Sequence, residues 1–402
     1  MIKPLDPIPK GWKHRLVDSL AKRGSGHTPD RGRPEYWDGG IKWISLTDSN
    51  KLDRRWISET NSEISPLGIR HSSATLHPEE TVVLSRDAGV GKSAVMKVPM
   101  AVSQHFITWT CGEELSPFFL YYWLQSHKGY FERMAVGSTI QTIGLGLFRK
   151  LAGTFPPLPE QRNIADILST WDEAIEMLDA LIAAKDRYKQ ALMQQLLTGK
   201  TRVKGAKGKW VRAKLGDLFD ERVERDRIDL PLLSITADRG LVPRDELAKR
   251  DTSSEDKSKY LRIAPGDIGY NTMRMWQGVS ALSELEGIVS PAYTICRPTD
   301  RIDGKFAAHF FKFPHTIHLF HRWSQGLVDD TLNLKFPNFS VIEVVVPDSI
   351  SEQQQIATIL DTADQELTLL RRQREALDQQ KRGLMQRLLT GKVRVPLSEK
   401  TP

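Results

Sequence analysis

The chain has 402 residues, a formal net charge of +7 and a pI near 9.2, which gives room for two or three domains and suits a polyanionic partner. Its two cysteines, Cys111 and Cys296, exclude a disulfide framework and lack metal-ligand spacing, so both read as buried free thiols in a reducing compartment. The best apolar run, 118–124, is too short to cross a bilayer, and the amino terminus lacks the apolar stretch of a secretion signal, so a cytoplasmic protein without membrane contact is expected.

Residues 1–158 read as a first globular segment that opens at Trp12. A Gly/Pro/Arg loop at 24–34 leads to a turn at 36–40 and a strand at 41–46. Further strand-like runs lie at 81–85, 94–98 and 105–110, and 117–125 has a helical pattern. The proline-rich stretch 154–159 is a stiff connection, because each proline fixes its own backbone angle and restricts its neighbour.

Residues 159–200 then read as one long helix and a stop. Apolar residues at Ile164, Leu168, Trp171, Ile175, Leu178 and Ile182 repeat with the 4-3 spacing of a coiled-coil stripe. Pro159 suits a first helical turn and Gly199 a left-handed cap. From Glu160 to Leu197 such a helix spans roughly 57 Å at 1.5 Å per residue. Residues 201–209 are a basic, glycine-rich linker, after which Trp210 restarts what Trp12 began. The second globular segment, 210–350, has strand candidates at 267–270 and 292–296 and a helix around 306–323. It echoes the first faintly: 233–236 can be laid on 44–47, and Thr331 falls 192 residues after Thr139.

Residues 351–402 bring the helix back, with a short tail. The run 192–200 recurs at 384–392 with one substitution, and across 160–203 against 352–395, 22 of 44 positions are identical. Ile356, Leu360, Ala363, Leu367 and Leu370 carry the same stripe, and Gly391 the same cap. A period near half the chain length marks a duplicated unit. A stripe so long and narrow cannot bury itself, so the two copies are expected to pack antiparallel on each other. The repeats together carry only one net positive charge, which leaves the basic excess in the globular segments. Two near-identical scaffold elements thus support two segments free to differ.

No catalytic constellation is evident. The stretch 87–93 hints at a phosphate-binding loop, but Arg86 stands where that motif needs glycine; it reads better as a basic loop touching backbone phosphates. Glu255, Asp256 and Lys257 mimic a nuclease motif but sit in a polar run without a strand. His27, His71 and His77 do not form a ligand set, and neither a methyltransferase nor a dinucleotide fingerprint is present, so no metal or cofactor is expected in this chain. The globular segments do offer basic, aromatic, amide and hydroxyl side chains in loops. In the first these are Arg31, Arg33, Tyr36, Lys42, Arg86, Lys92, Gln104, His105, Ser138, Thr139 and Gln141. In the second they are Arg274, Trp276, Gln277, Ser290, Tyr293, Arg322, Gln325, Thr331, Asn333 and Lys335. Arginine and lysine neutralise phosphates, and Arg, Asn and Gln pair with base edges. Taken singly, Trp37, Trp43 and Tyr293 read as packing residues.

The twin endings at 192–200 and 384–392, with 158–165 and 351–357 leading into the helices, resemble the specificity subunit of Type I restriction-modification enzymes. Residues 34–41 and 287–293 resemble that family's target-recognition domains, although Pro347, Asp348, Ser349 and Ile350 depart from the Pro-Pro-Leu-Pro of the first junction. The resemblance implies an α+β fold: two mixed target-recognition domains separated by two long conserved helices, packed as an antiparallel coiled coil with internal pseudo-two-fold symmetry. It implies a non-catalytic prokaryotic protein that binds double-stranded DNA with a bipartite target. It implies two adenine-methylating modification subunits as partners and restriction subunits for cleavage, with S-adenosylmethionine, ATP and Mg²⁺ held by those partners. Two other readings stay open: a partner-free DNA-binding or coiled-coil scaffold protein, and the specificity chain of a fused nuclease-methyltransferase system.

Overall fold

A computed structural model describes residues 2–139, 141–236, 239–247 and 256–395; Ile140, Glu255 and the tail 396–402 lie outside them. The two repeats are helices, Leu158–Leu196 and Ile350–Leu389, of 39 and 40 residues. Pro159 sits in the first turn of the first, where a missing N–H costs nothing. Gly199 and Gly391, at φ 68° and 66°, supply the left-handed caps beyond the carboxyl ends. The chain divides into two compact units, residues 1–179 with 372–402, and residues 180–371. Each unit therefore contains half of each long helix.

In the first unit a ladder of Lys13–Leu16 with Ala152–Phe155 closes the globular part. Beside it are a five-stranded sheet, in the order Ala21–Ser25, Phe106–Cys111, Val82–Ser85, Ser93–Met96 and Trp56–Ile57, and a four-stranded sheet built around Trp37–Ile44. The second unit repeats the ladder with Trp210–Lys214 and Glu343–Pro347. It also repeats the larger sheet, as Phe219–Glu221, Tyr293–Pro298, Ile268–Asn271 and Ser280–Leu282. In place of the four-stranded sheet it has two short antiparallel pairs, Leu233–Thr236 with Gly240–Pro243 and Leu261–Ile263 with Gly287–Val289.

Two local expectations change. Residues 36–40 are not a turn. Trp37 and Ile41 both face Ile64 across a bulge, and Asp38 and Gly40 take positive φ to make it. The helix expected over 306–323 is two helices, Gly304–Phe311 and Pro314–Trp323, because Pro314 cannot continue the first and instead starts the second.

Within each unit the helix halves run antiparallel. In the first, Asp172 pairs with Lys381 and Asp179 with Arg374; in the second, Lys185 pairs with Glu366, Asp186 with Arg371 and Lys189 with Asp364. The repeated Asp172/Asp364 and Lys189/Lys381 thus make the same ion pair twice. The apolar stripe does more than join helix to helix. Ile164 and Leu168 are fully buried among Phe119, Trp123, Leu388 and Leu389, and Ile356 and Leu360 among Phe306, Phe310, Met193 and Leu196. Fixing a Leu there is worth about 2 kcal/mol of transfer free energy. Ile175, Leu178 and Leu367 are also buried, while Trp171 and Leu370 are half-buried.

The foot of each helix is a polar clamp. Glu160 is 2% exposed; Arg394 grips it through Nε and Nη2 at 2.7 and 2.9 Å, and Trp12 donates its indole N–H at 3.1 Å. Glu352, 1% exposed, is gripped by Arg202 at 2.5 and 2.6 Å, with the Trp210 indole at 3.4 Å. The adjacent Gln161 and Gln353 each donate to two backbone carbonyls and accept one backbone N–H. A buried carboxylate is tolerable only with such charge-assisted partners. The stretch 201–209 is accordingly no loose linker: Arg202 closes the clamp, Val203 is buried, and the Lys209 N–H binds Asp348.

Candidate nucleic-acid interface

In the first unit three loops meet on backbone hydrogen bonds. The Arg86 N–H donates to the His105 carbonyl and the Ile143 N–H to the Arg86 carbonyl, while Val136 and Thr142 bond to each other in both directions. The second unit repeats the pattern. The Thr272 N–H donates to Ala292, the Leu334 N–H to Thr272, and Gln325 and Asn333 exchange two bonds of 2.8 Å. The equivalence of Ile143 and Leu334 is one residue short of the helices' 192-residue offset, which corrects the alignment of Thr331 on Thr139. The backbones match, but the side chains do not: Arg86 and His105 stand where Thr272 and Ala292 stand.

Around the first trio, His105 Nδ1 contacts Asp87 at 2.6 Å, and the Ala88 N–H reaches the Gln141 carbonyl. Ser138, Thr139 and Gln141 are exposed on the turn that follows Gly137, whose φ is 121°. Thr28 donates to Gln104 at 2.8 Å, which brings the loop carrying Arg31 and Arg33 beside this cluster. The two guanidiniums lie over Trp37 and Tyr36, at 5.6 and 6.0 Å from the ring centres. Lys92 and Gln141 line an open groove of about 580 Å³ with Lys128 and Arg133. Sequence reasoning passed over those last two, whose only signal is a pair of basic residues on the helix Lys128–Met134. Two candidates are less available. Lys42 is held between Glu59 and Glu63 at 2.9 and 2.8 Å, and hydrogen bonding to both carboxylates raises its pKa. The Arg86 side chain is largely buried beside Asp87.

In the second unit Arg274, Trp276 and Gln277 form a short helical turn, with Arg274 4.0 Å from Asp330 across the trio. The Trp276 indole donates to the Met273 carbonyl, and its ring meets His321 edge-on. Thr331 Oγ1 accepts the N–H groups of Leu327 and Val328, and Asn333 Nδ2 donates to Gln325, so the 325–333 loop is internally fixed. Ser290 Oγ accepts the Ala292 N–H next to it. Tyr293 is half-buried and burial raises its hydroxyl pKa, in keeping with a packing role; Trp43 is buried likewise, its indole bound to the His27 carbonyl. Lys335 is exposed beside the helix Phe336–Ser340. Arg322 is not part of this cluster and instead lines a groove with Arg212 and Lys214.

The glycine-rich loop after Arg86 joins two antiparallel strands, Val82–Ser85 and Ser93–Met96, and so opens no helix for a nucleotide phosphate. Its Lys92 ammonium is bound to the Ser49 carbonyl at 3.1 Å. Among the described residues no three His, Cys, Asp or Glu side chains are grouped to hold a metal ion. Cys296 is buried and its thiol held well above its usual range; Cys111 is only partly buried, with its thiol pushed up to about 12, mainly by desolvation. Neither is a reactive thiolate. No described helix is long and apolar enough to cross a membrane.

A duplicated helix-and-clamp scaffold that carries two loop-bearing sheet domains, with the two long helices linking fold and repeat, defines a mixed α/β class shared with known structures. Residues 9–184 match the model of the family described as the Type I restriction modification DNA specificity domain. The chain is 27% identical over 171 residues to the MjaIX specificity subunit of a type I restriction enzyme from Methanocaldococcus jannaschii, an alignment spanning 42% of this chain and 40% of that protein. It is 22% identical to the MjaVIII specificity subunit from the same organism, over 96% of this chain and 94% of that one. Among solved structures, the S subunit of a type I restriction-modification system from M. genitalium shares the fold with a TM-score of 0.58 at 16% identity, covering 94% of this chain and 96% of that one. A chain from a structure of type I restriction-modification complex assembly and conformational transition gives 0.59 at 16% identity, covering 96% and 99%.

Proposed function

We propose that this chain is the non-catalytic specificity subunit of a type I restriction-modification complex and that it recognises a bipartite DNA target, one half-site per unit. The observation that carries the reading is the repeated loop trio: one backbone framework, present in both units, holding different side chains. A framework of that kind can present two unrelated sets of base-reading groups in equivalent poses. The paired helices would set the spacing between half-sites and offer two equivalent sides to two modification subunits. Those partners would supply S-adenosylmethionine-dependent adenine methylation, and restriction subunits would supply ATP- and Mg²⁺-dependent cleavage. A methyltransferase must extrude its target base from the stack, so this chain's share is to hold the duplex in register.

The test is motif-resolved adenine-methylation sequencing of cells that carry the chain with its methyltransferase. Arg274→Ala with Gln277→Ala is expected to relax or abolish one half of the methylated motif and leave the other half unchanged. A change in both halves would contradict the assignment of one unit to one half-site. The purified chain by itself is expected neither to methylate nor to cut DNA; methyl transfer by this polypeptide alone would refute the adaptor role.

A further inference from the structure

The clamps fix a residue-by-residue equivalence between the two strand ladders. Trp12 and Trp210 play the same part, so the ladder registers set His14 against Arg212 and Thr154 against Val345. In the first unit the outer face of the ladder is covered. The segment before Trp12 returns over it: the Leu5 N–H donates to Thr154 Oγ1 at 3.4 Å, and Ile2 and Leu5 pack on the core. Leu389 and Thr390, at the end of a long helix, complete the seat of that segment.

The second unit has the seat without the arm. Its ladder face, with Leu197 and Thr198 in the places of Leu389 and Thr390, lines an open groove of about 810 Å³. The chain before Trp210 does not cover it, because that stretch has another task. Arg202 and Val203 are the counterparts of Arg394 and Val395, and they run from the helix cap straight into the clamp. The groove is apolar at its base, where Val345 is 47% and Trp323 39% exposed, and basic at its rim, where Arg212, Lys214 and Arg322 outnumber Glu343.

We propose that this groove docks an extended segment of a partner protein, with two apolar residues spaced like Ile2 and Leu5 and with carboxylates beside them. The first unit supplies the precedent for the shape of the occupant, since an extended apolar segment already sits in the equivalent seat. The rim supplies the charge, since it favours an acidic segment over a basic one. Exposed apolar surface rimmed by polar groups is the usual mark of such a site. Docking of this kind is independent of the DNA sequence that the chain reads.

The experiment uses the full chain and a fluorescently labelled peptide copying residues 2–9 with Lys3→Glu, followed by anisotropy. Saturable binding is expected, weakened at least roughly tenfold by Val345→Asp and by Lys214→Glu, each about 1.4 kcal/mol or more. Both residues are on the surface, so the variants fold, and circular dichroism confirms that they do. Leu16→Glu, the first-unit counterpart of Lys214→Glu, should leave binding unchanged. Absence of saturable binding, or binding indifferent to both groove substitutions, overturns the proposal. So does tighter binding of the unmodified Lys3 peptide. Self-association of the chain abolished by Ile2→Ser with Leu5→Ser would assign the groove to a second copy and overturn the acidic partner.

Discussion

At the helix feet the two units are nearly superimposable in chemistry; at the loop trio they share only a backbone. Glu160 and Glu352 keep the same company of an arginine fork, an indole N–H and a neighbouring glutamine. At the trio, Arg86, His105 and Thr142 in one unit answer to Thr272, Ala292 and Asn333 in the other. The difference shows where the chain is free. A buried carboxylate admits few solutions, because its loss of hydration must be offset by partners of fixed geometry. A solvent-facing loop held by its own backbone can exchange side chains at little cost.

That contrast can be sharpened first at the apolar end of the scaffold. Leu168→Ala and Leu360→Ala each leave a cavity in a fully buried cluster and should each lower stability by about 3 kcal/mol, read by urea denaturation. Equal losses support equivalent scaffolding; a loss at one site alone would show that one unit does not depend on its helix. Next are the clamps. Glu160→Ala and Glu352→Ala should each cost about 2 kcal/mol in the same assay, less than a fully enclosed ion pair because the arginines are 44% and 35% exposed. If either variant is as stable as the parent, the clamp is ornament and the linker reading of 201–209 returns. The smallest effect is expected in the loops. Arg31→Ala with Arg33→Ala should weaken specific and non-specific DNA binding alike, and should make the salt dependence shallower by about 0.9 in log–log slope for each phosphate that the parent arginines neutralise. Loss confined to the specific site would make these arginines base readers.

The scaffold was open to reading because its signals are local and periodic. Apolar residues at 4-3 spacing, Pro159 and the two capping glycines each act through neighbouring residues, and the duplication repeated nearly all of them. The clamp was not open to the same reading. Glu160 and Arg394 are 234 positions apart, and nothing in a basic stretch such as 201–209 distinguishes a buried fork from a solvated face. The second unit's split helix is a similar case: Pro314 announces a boundary, but the apolar residues on both sides fit one continuous face. In the loops the candidate residues of both trios were visible by type alone. Their grouping depends on backbone bonds between segments far apart in sequence, which is why Lys128 and Arg133 were passed over.

The central claim is that the long helices set the distance between two half-sites that the loops read independently. The clamps show where to test it. Insertion near Leu197 would disturb Arg202 and Glu352, whereas insertion after Asp179 and, together, after Arg371 leaves the interior of each compact unit as it is. Four helix-forming residues at both places add about 6 Å of rise and keep the apolar stripe nearly in phase. Base pairs are about 3.4 Å apart. Methylated-motif sequencing of cells carrying this double insertion with the methyltransferase partner is expected to return both half-sites unaltered, with a spacer longer by one or two base pairs. An active complex whose spacer is unchanged, or whose half-site sequences differ, would contradict the account.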